Sequence, residues 1–204
     1  MEACRGLGGR PRVKNFSFFD LAQKVSNDNR SDALGEISSI SRRDFDERET
    51  FTFNSMAPCL EYACLLIENA VLLNTNRGGR IYAGFQKLSY MQPIQDRYLR
   101  IADVSESVFI FGEPDWGPPR HPNIRTIPLK PEFQLTQEWF LIADSSSLRV
   151  AVIAREQVPT DHPMIAPEKR MFSSVKTSDK DTVVKLATAA ESVIDWSIAV
   201  AATA

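Results

Sequence analysis

Glu113, Asp115 and Trp116 leave an apolar run, and Arg120 and His121 follow within a few residues. Two carboxylates, a guanidinium, an imidazole and a large ring on a proline-rich, irregular backbone are the mixture with which loops hold small ligands. These five are the candidate ligand-binding residues. The plainer alternative is a packed lid with Trp116 as its hydrophobic plug. A second mixture, Arg77-Gly78-Gly79-Arg80, sets two cations around a flexible backbone as a phosphate site would. Its glycines are too few for a P-loop, and an ordinary turn accounts for them.

The other reactive side chains are sparse. Cys4, Cys59 and Cys64 are too few and badly placed for a disulfide framework, so a reducing cytosol is the expected setting. Cys59 and Cys64 fall on one helical stretch, and five residues turn a helix so that they lie about 140° apart. They cannot jointly clamp a metal. One of them could carry a bilin by a thioether or report redox state; a small buried hydrophobe is the simpler role. His121 and His162 each precede a proline, and there is no His-x-x-x-His or Cys-x-x-Cys spacing, so no metal site is expected. There is no G-x-S-x-G elbow, and no catalytic residue is assigned. Gln86 near Tyr82, Tyr90 and Tyr98 is a pairing that flavin photosensors use. No flavin signature accompanies it, and a buried, satisfied glutamine is expected. The cofactor, if there is one, stays unknown.

The elements that must position these residues centre on 79–116. Apolar runs at 81–85 and 108–111, rich in β-branched and aromatic residues and bounded by glycine, read as buried strands. Between them, 88–103 places Met91, Gln95, Tyr98 and Ala102 at helical steps. A strand, helix and strand within about 35 residues is the size of a crossover unit, and its exit at 112–116 lies where open α/β sheets bind ligands.

Around this unit, 16–26 reads as a short amphipathic helix followed by a polar linker. Segments 34–40 and 50–53 flank the charged stretch 42–49, a pattern that suits a strand or an edge hairpin with a solvated tip. Residues 55–74 read as a helix with Ser55 as N-cap and Leu60, Ala63, Cys64, Ile67, Ala70 and Val71 on one face. Leu60, Ile67 and Val71 should pack on the strands 81–85 and 108–111. Residues 124–129 suit an edge strand because Pro128 donates no ladder bond. Strands at 139–143 and 149–154 make a hairpin, 171–175 a last strand, and 179–200 a closing helix capped by Thr177 or Ser178. The expected fold is mixed α+β, a single mixed sheet of about five to six strands covered by helices. The expected division is a disordered tail at 1–14, a helix and linker at 15–33, and the main domain at 34–204.

The 204 residues are 43% hydrophobic and 25% charged, ordinary for a soluble domain. A net charge of −2 gives no global attraction to nucleic acid or anionic membrane. No apolar run approaches the roughly 18 residues of a transmembrane helix.

An ordered set of short motifs runs through these elements: Cys59-Leu60-Glu61-Tyr62, Ile67-Glu68-Asn69, Tyr82-Ala83-Gly84-Phe85-Gln86-Lys87-Leu88, Arg97-Tyr98, Ile101-Ala102 and Phe111-Gly112-Glu113-Pro114-Asp115-Trp116. Glu138-Trp139 and 173–177 continue it. The set resembles the DICT sensory domain, named for its association with diguanylate cyclases and two-component systems, in the form common in cyanobacteria. It covers about 34–196. The resemblance implies a non-enzymatic, cytoplasmic input module of bacterial signalling, often linked to light responses, with a histidine kinase or diguanylate cyclase as partner. It assigns no ligand and no catalytic residue. A structural adaptor without a ligand and a small-molecule enzyme are the competing readings.

The closing helix adds an expectation about assembly. Val183, Leu186, Ala187, Ala190 and Ile194 form one stripe; Val193, Trp196 and Val200 form a second beside it. One stripe suffices to cover a sheet. The second is the candidate interface with a second copy of the chain, unless the helix at 16–26 covers it.

Overall fold

The computed structural model describes residues 13–28, 31–74, 78–157 and 166–201. Its strands are β1 Asp32–Glu36, β2 Thr50–Met56, β3 Arg80–Lys87, β4 Ser107–Glu113, β5 Ile124–Pro128, β6 Glu138–Asp144, β7 Arg149–Glu156 and β8 Met171–Thr177. Its α-helices are α1 Phe18–Asp28, α2 Arg42–Glu47, α3 Ala57–Leu73, α4 Gln95–Val104 and α5 Lys180–Ala201. The strands form one mixed sheet in the order β1-β2-β8-β7-β6-β3-β4-β5.

Residues 79–116 build the expected unit. β3 pairs parallel with β4, Ile81 opposite Val108 and Gly84 opposite Phe111. The connection is one 3₁₀ stretch, Leu88–Ile94, that turns into α4. Pro93 explains the break, since proline removes a helical donor and crowds the preceding turn. β5 adds parallel to β4 at the sheet edge and ends on Pro128. The hairpin is β6–β7, with Phe140 opposite Ile153.

Among the described residues the sheet has eight strands where five to six were expected. β2 pairs antiparallel with β8, which brings the N-terminal pair β1–β2 into the same sheet. β1 reads DALGE and is exposed on most positions, so it carries almost no strand signal. The hairpin expected around 42–49 is also corrected: β1 and β2 are parallel, and the charged stretch is α2. Ser41 starts that helix. Its Oγ accepts from the Asp44 N–H at 3.0 Å and donates to the Asp44 carboxylate at 2.6 Å, a reciprocal cap. Similarly, Met56 and not Ser55 precedes α3, because β2 runs straight into the helix. Asp179 caps α5, its carboxylate accepting from the Thr182 N–H at 2.8 Å.

Both faces of the sheet are covered, which is why its central strands read as unbroken apolar runs. On one face Ile81, Ala83, Phe85, Val108 and Ile110 meet Leu60, Ile67 and Tyr98 of α3 and α4, with Val71 partly buried beside them. On the other, Tyr82, Phe109, Phe111 and Phe140 meet Phe18 and Ala22 of α1 and the first stripe of α5. Thus α1 is docked on the sheet and does not stand apart as a separate element. Among the described residues no helix is long and apolar enough to cross a membrane. Residues 1–12, most of the expected tail, lie outside the described residues.

The second stripe of α5 is largely spoken for within the chain. Val193 is buried in the core, and Trp196 packs on Phe133 with ring centroids 5.3 Å apart. The side chain of Val200 lies outside the described residues. Trp196→Glu should therefore lower the unfolding free energy by about 1–3 kcal/mol, the usual range for placing a charge against a packed ring. Light scattering should give the same mass for wild type and variant. A wild-type mass of twice 22.9 kDa that the substitution halves would instead assign Trp196 to an interface.

Candidate functional site

The parallel strands β3, β4 and β5 point their carboxyl ends to one edge of the sheet, together with β7 and β2. That edge is where α/β sheets open to ligands. It carries a groove of about 430 Å³ between α3, the 3₁₀ stretch, α4 and the sheet. α3 supplies Pro58, Glu61, Tyr62, Leu65 and Glu68, which recur at i, i+3, i+4, i+7 and i+10 and hence share one face. Cys64 of α3, Phe85 of β3, Tyr90, Pro93 and Ile94 of the 3₁₀ stretch, Arg97 of α4 and Trp139 of β6 complete the lining. The volume is that of a small-molecule site.

Its floor is charged but closed on itself. Glu68, 3% exposed, accepts from Arg97 Nη1 at 2.7 Å. Burial, and then the Glu68 carboxylate, push the phenol of Tyr98 well above its ordinary value. Burial, followed by the charges of Glu68 and Glu61, pushes the Cys64 thiol well up; only the Trp139 indole pulls it down. Cys64 is therefore a neutral thiol near pH 7, and a thiol is a poor nucleophile. Burial likewise raises Cys59, which faces the core on another side of α3. Cys4 lies outside the described residues.

The rim is strained and held. Gln86, the penultimate residue of β3, has φ +58°, left-handed for a residue with a side chain. The β3–β4 register shifts between Gly84 and Lys87, so the backbone bulges at the mouth of the groove. The Gln86 amide is pinned: Nε2 donates to Glu156 at 3.2 Å and Oε1 accepts from Arg170 at 2.6 Å. Arg170 grips Glu156 with both Nε and Nη2, and its hydrogen bond holds the Glu156 carboxyl below the usual range. The Arg170 guanidinium lies 5.7 Å from the Tyr90 ring centroid and 5.3 Å from that of Phe172. Gln86 is thus buried and satisfied. Strain of this kind amounts to about 1–3 kcal/mol and gathers where a protein binds or switches.

The five residues singled out in the sequence are spread over two ends of the sheet. Glu113, Asp115 and Trp116 stay at the carboxyl end of β4. Asp115 accepts from the Ser89 N–H at 2.9 Å and the Ser89 hydroxyl at 2.6 Å, which closes the 3₁₀ turn beside the groove. Trp116 packs on the core of that face. The chain then crosses to the start of β5. There the His121 ring lies 3.2 Å from Asp103, at the end of α4, while Arg120 is exposed. Of the glycine turn, Arg80 pairs with Glu191 of α5 at 2.9 Å, and Arg77 lies outside the described residues, as does His162.

Sequence reasoning passed over the groove because five elements share it. One signal was legible: Glu68 follows Cys64 by four residues, a carboxylate on the buried stripe of α3, and such a group needs a partner. Among the described residues no three metal-binding side chains converge.

The molecule is thus a three-layer α/β domain with a ligand-sized groove at the carboxyl edge of its sheet. Residues 58–157, just under half of the chain, match the family model of DICT, the sensory domain in diguanylate cyclases and two-component systems. Every residue that lines the groove falls within that span. No curated protein matches the sequence. Among solved structures, the polyphosphate kinase from Porphyromonas gingivalis is similar at 9% identity and a TM-score of 0.47. The similarity covers 72% of this chain and 27% of that one, about a quarter of the kinase's length, and a likeness of that degree carries no argument about function.

Proposed function

We propose that the chain is a non-enzymatic input module of bacterial signal transduction that binds a small molecule in the groove between α3 and α4. The observation that supports this most is the coincidence of the groove with the family span: its entire lining lies within 58–157. A cytoplasmic setting, a cyanobacterial source and a link to light fit the resemblance of the sequence. A histidine kinase or diguanylate cyclase is the partner that the family description favours. The arm from Glu113 to His121 enters this reading as the surface that meets the partner, since Arg120 is exposed and makes no ion pair among the described residues.

Native mass spectrometry of the protein purified from its own host tests the reading. A bound small molecule is expected, and Tyr90→Ala should lose it while unfolding as wild type does, because Tyr90 is 47% exposed. A clean polypeptide mass, with unchanged signalling from Tyr90→Ala, would sink the ligand and leave an adaptor that binds a protein alone.

A further inference from the structure

Four aromatic side chains line the groove: Tyr62, Phe85, Tyr90 and Trp139. Tyr62 and Tyr90 are 41% and 47% exposed, so their rings meet whatever enters. Three charged groups share the lining, Glu61, Glu68 and Arg97. Arg97 is already matched to Glu68, and Arg170 just beyond the rim is matched to Glu156. Glu61 is exposed and makes no ion pair or hydrogen bond among the described residues. The lining therefore carries a net charge of −1 from these three groups, and its unmatched charge is negative.

We infer that the groove selects an organic cation, an ammonium carrying alkyl groups on a larger organic body; this rests on the reading of the groove as the ligand site. Aromatic faces attract such cations through their quadrupoles, and a carboxylate at the edge adds a Coulomb pull. An anion would face Glu61 and would have to break a matched pair to find a cation. A neutral ligand would gain nothing from Glu61, which is exposed and stays hydrated. The fold itself already lays a cation on one of these rings, since the Arg170 guanidinium sits 5.7 Å from the Tyr90 ring centroid. A volume of about 430 Å³ exceeds a trimethylammonium group, hence the larger body.

The test uses three probes on the full chain: choline, its neutral carbon isostere dimethylbutanol, and benzoate. The readout is the indole N–H resonance of Trp139. Choline should move it in a saturable way, and the other two should not. Glu61→Gln should weaken choline roughly three- to tenfold, the effect of one partly screened charge. Equal or better binding of dimethylbutanol or benzoate would overturn the cation and leave the groove a ligand site. Silence from all three probes would also overturn it. The broader reading falls by a different result, normal output from Tyr90→Ala with no bound mass.

Discussion

Gly84→Ala is expected to destabilise the fold by about 3 kcal/mol or more, the upper end for overpacking a filled core. Gly84 lies in β3, opposite Phe140 of β6 and Phe111 of β4. On a face that alternates with Ala83 and Phe85, its position points to the α1–α5 side. The Phe140 ring fills the space where a side chain would stand. A Cβ there would come within 2.2 to 2.6 Å of three ring carbons. The ring has nowhere to go: Phe18 packs on it at 4.6 Å and Phe111 at 5.4 Å, and all three are at most 1% exposed. For a chain of this length 3 kcal/mol corresponds to roughly 6–12 °C in Tm. The double variant Gly84→Ala, Phe140→Leu should recover part of the loss, because the smaller side chain vacates the clash. A single variant that melts with the wild type would mean that the glycine is not required by this packing.

The same residue illustrates what a sequence exposes and what it hides. The run 81–85 declares a buried strand by its composition, and so do 108–111, 139–143 and 149–154. Burial on both faces makes each of them continuous, and continuity is legible. The closing helix was legible for a related reason, since Val183, Leu186, Ala190 and Ile194 repeat at the helical period and all are buried. β1 was not, because two apolar residues in five cannot announce a strand that lives on its pairing with β2. Nor was α2, whose start depends on a reciprocal bond between Ser41 and Asp44 inside a run of charges that reads as solvated chain.

The candidate site divides in the same way. The edge of the sheet could be located from β3 and β4 alone, by the rule that ligands meet the carboxyl ends of parallel strands. Which side chains gather there could not. Pro114 to Pro119 carries the chain away from that edge, so Arg120 and His121, neighbours of Trp116 in sequence, end beside β5 and α4. In return Trp139 arrives from β6 and Arg170 from the residue before β8, both far along the chain, and they gather around Tyr90 and Gln86. Local spacing carries no information about such encounters; the pairing of β3 with β6 and of β7 with β8 makes them.

The strongest effect on a single element is expected at Glu138. Its side chain is fully buried and gathers four donors. Oε1 accepts from the Ser17 hydroxyl at 2.5 Å and from Arg155 at 3.2 Å; Oε2 accepts from the N–H groups of Phe18 and Phe19 at 2.9 and 3.3 Å. One carboxylate from the sheet therefore caps α1, meeting donors that the helix itself leaves open. Glu138→Ala strands those N–H groups and leaves Arg155 with only Ser17 and the exposed carboxylate of Asp20 at 2.9 Å, and removing one member of a buried pair costs about 3–5 kcal/mol. The loss should concentrate in α1: hydrogen exchange should speed up across Phe18–Asp28 while amides of β3 and β6 keep their order of protection. Exchange that rises uniformly over the sheet would mean that the carboxylate supports the whole fold and not the docking of α1. The pH dependence has a definite sign. Burial holds the Glu138 carboxyl above its ordinary 4.5, against the lowering pull of Ser17 and Arg155. The folded chain then keeps this proton more tightly than the unfolded chain. Its contribution is full below 4.5 and is lost as pH rises through the folded pKa. The stability of wild type relative to Glu138→Gln should fall with rising pH across that window. A difference that grows with pH instead would show that the pairing with Arg155, and not dehydration, governs the buried carboxylate.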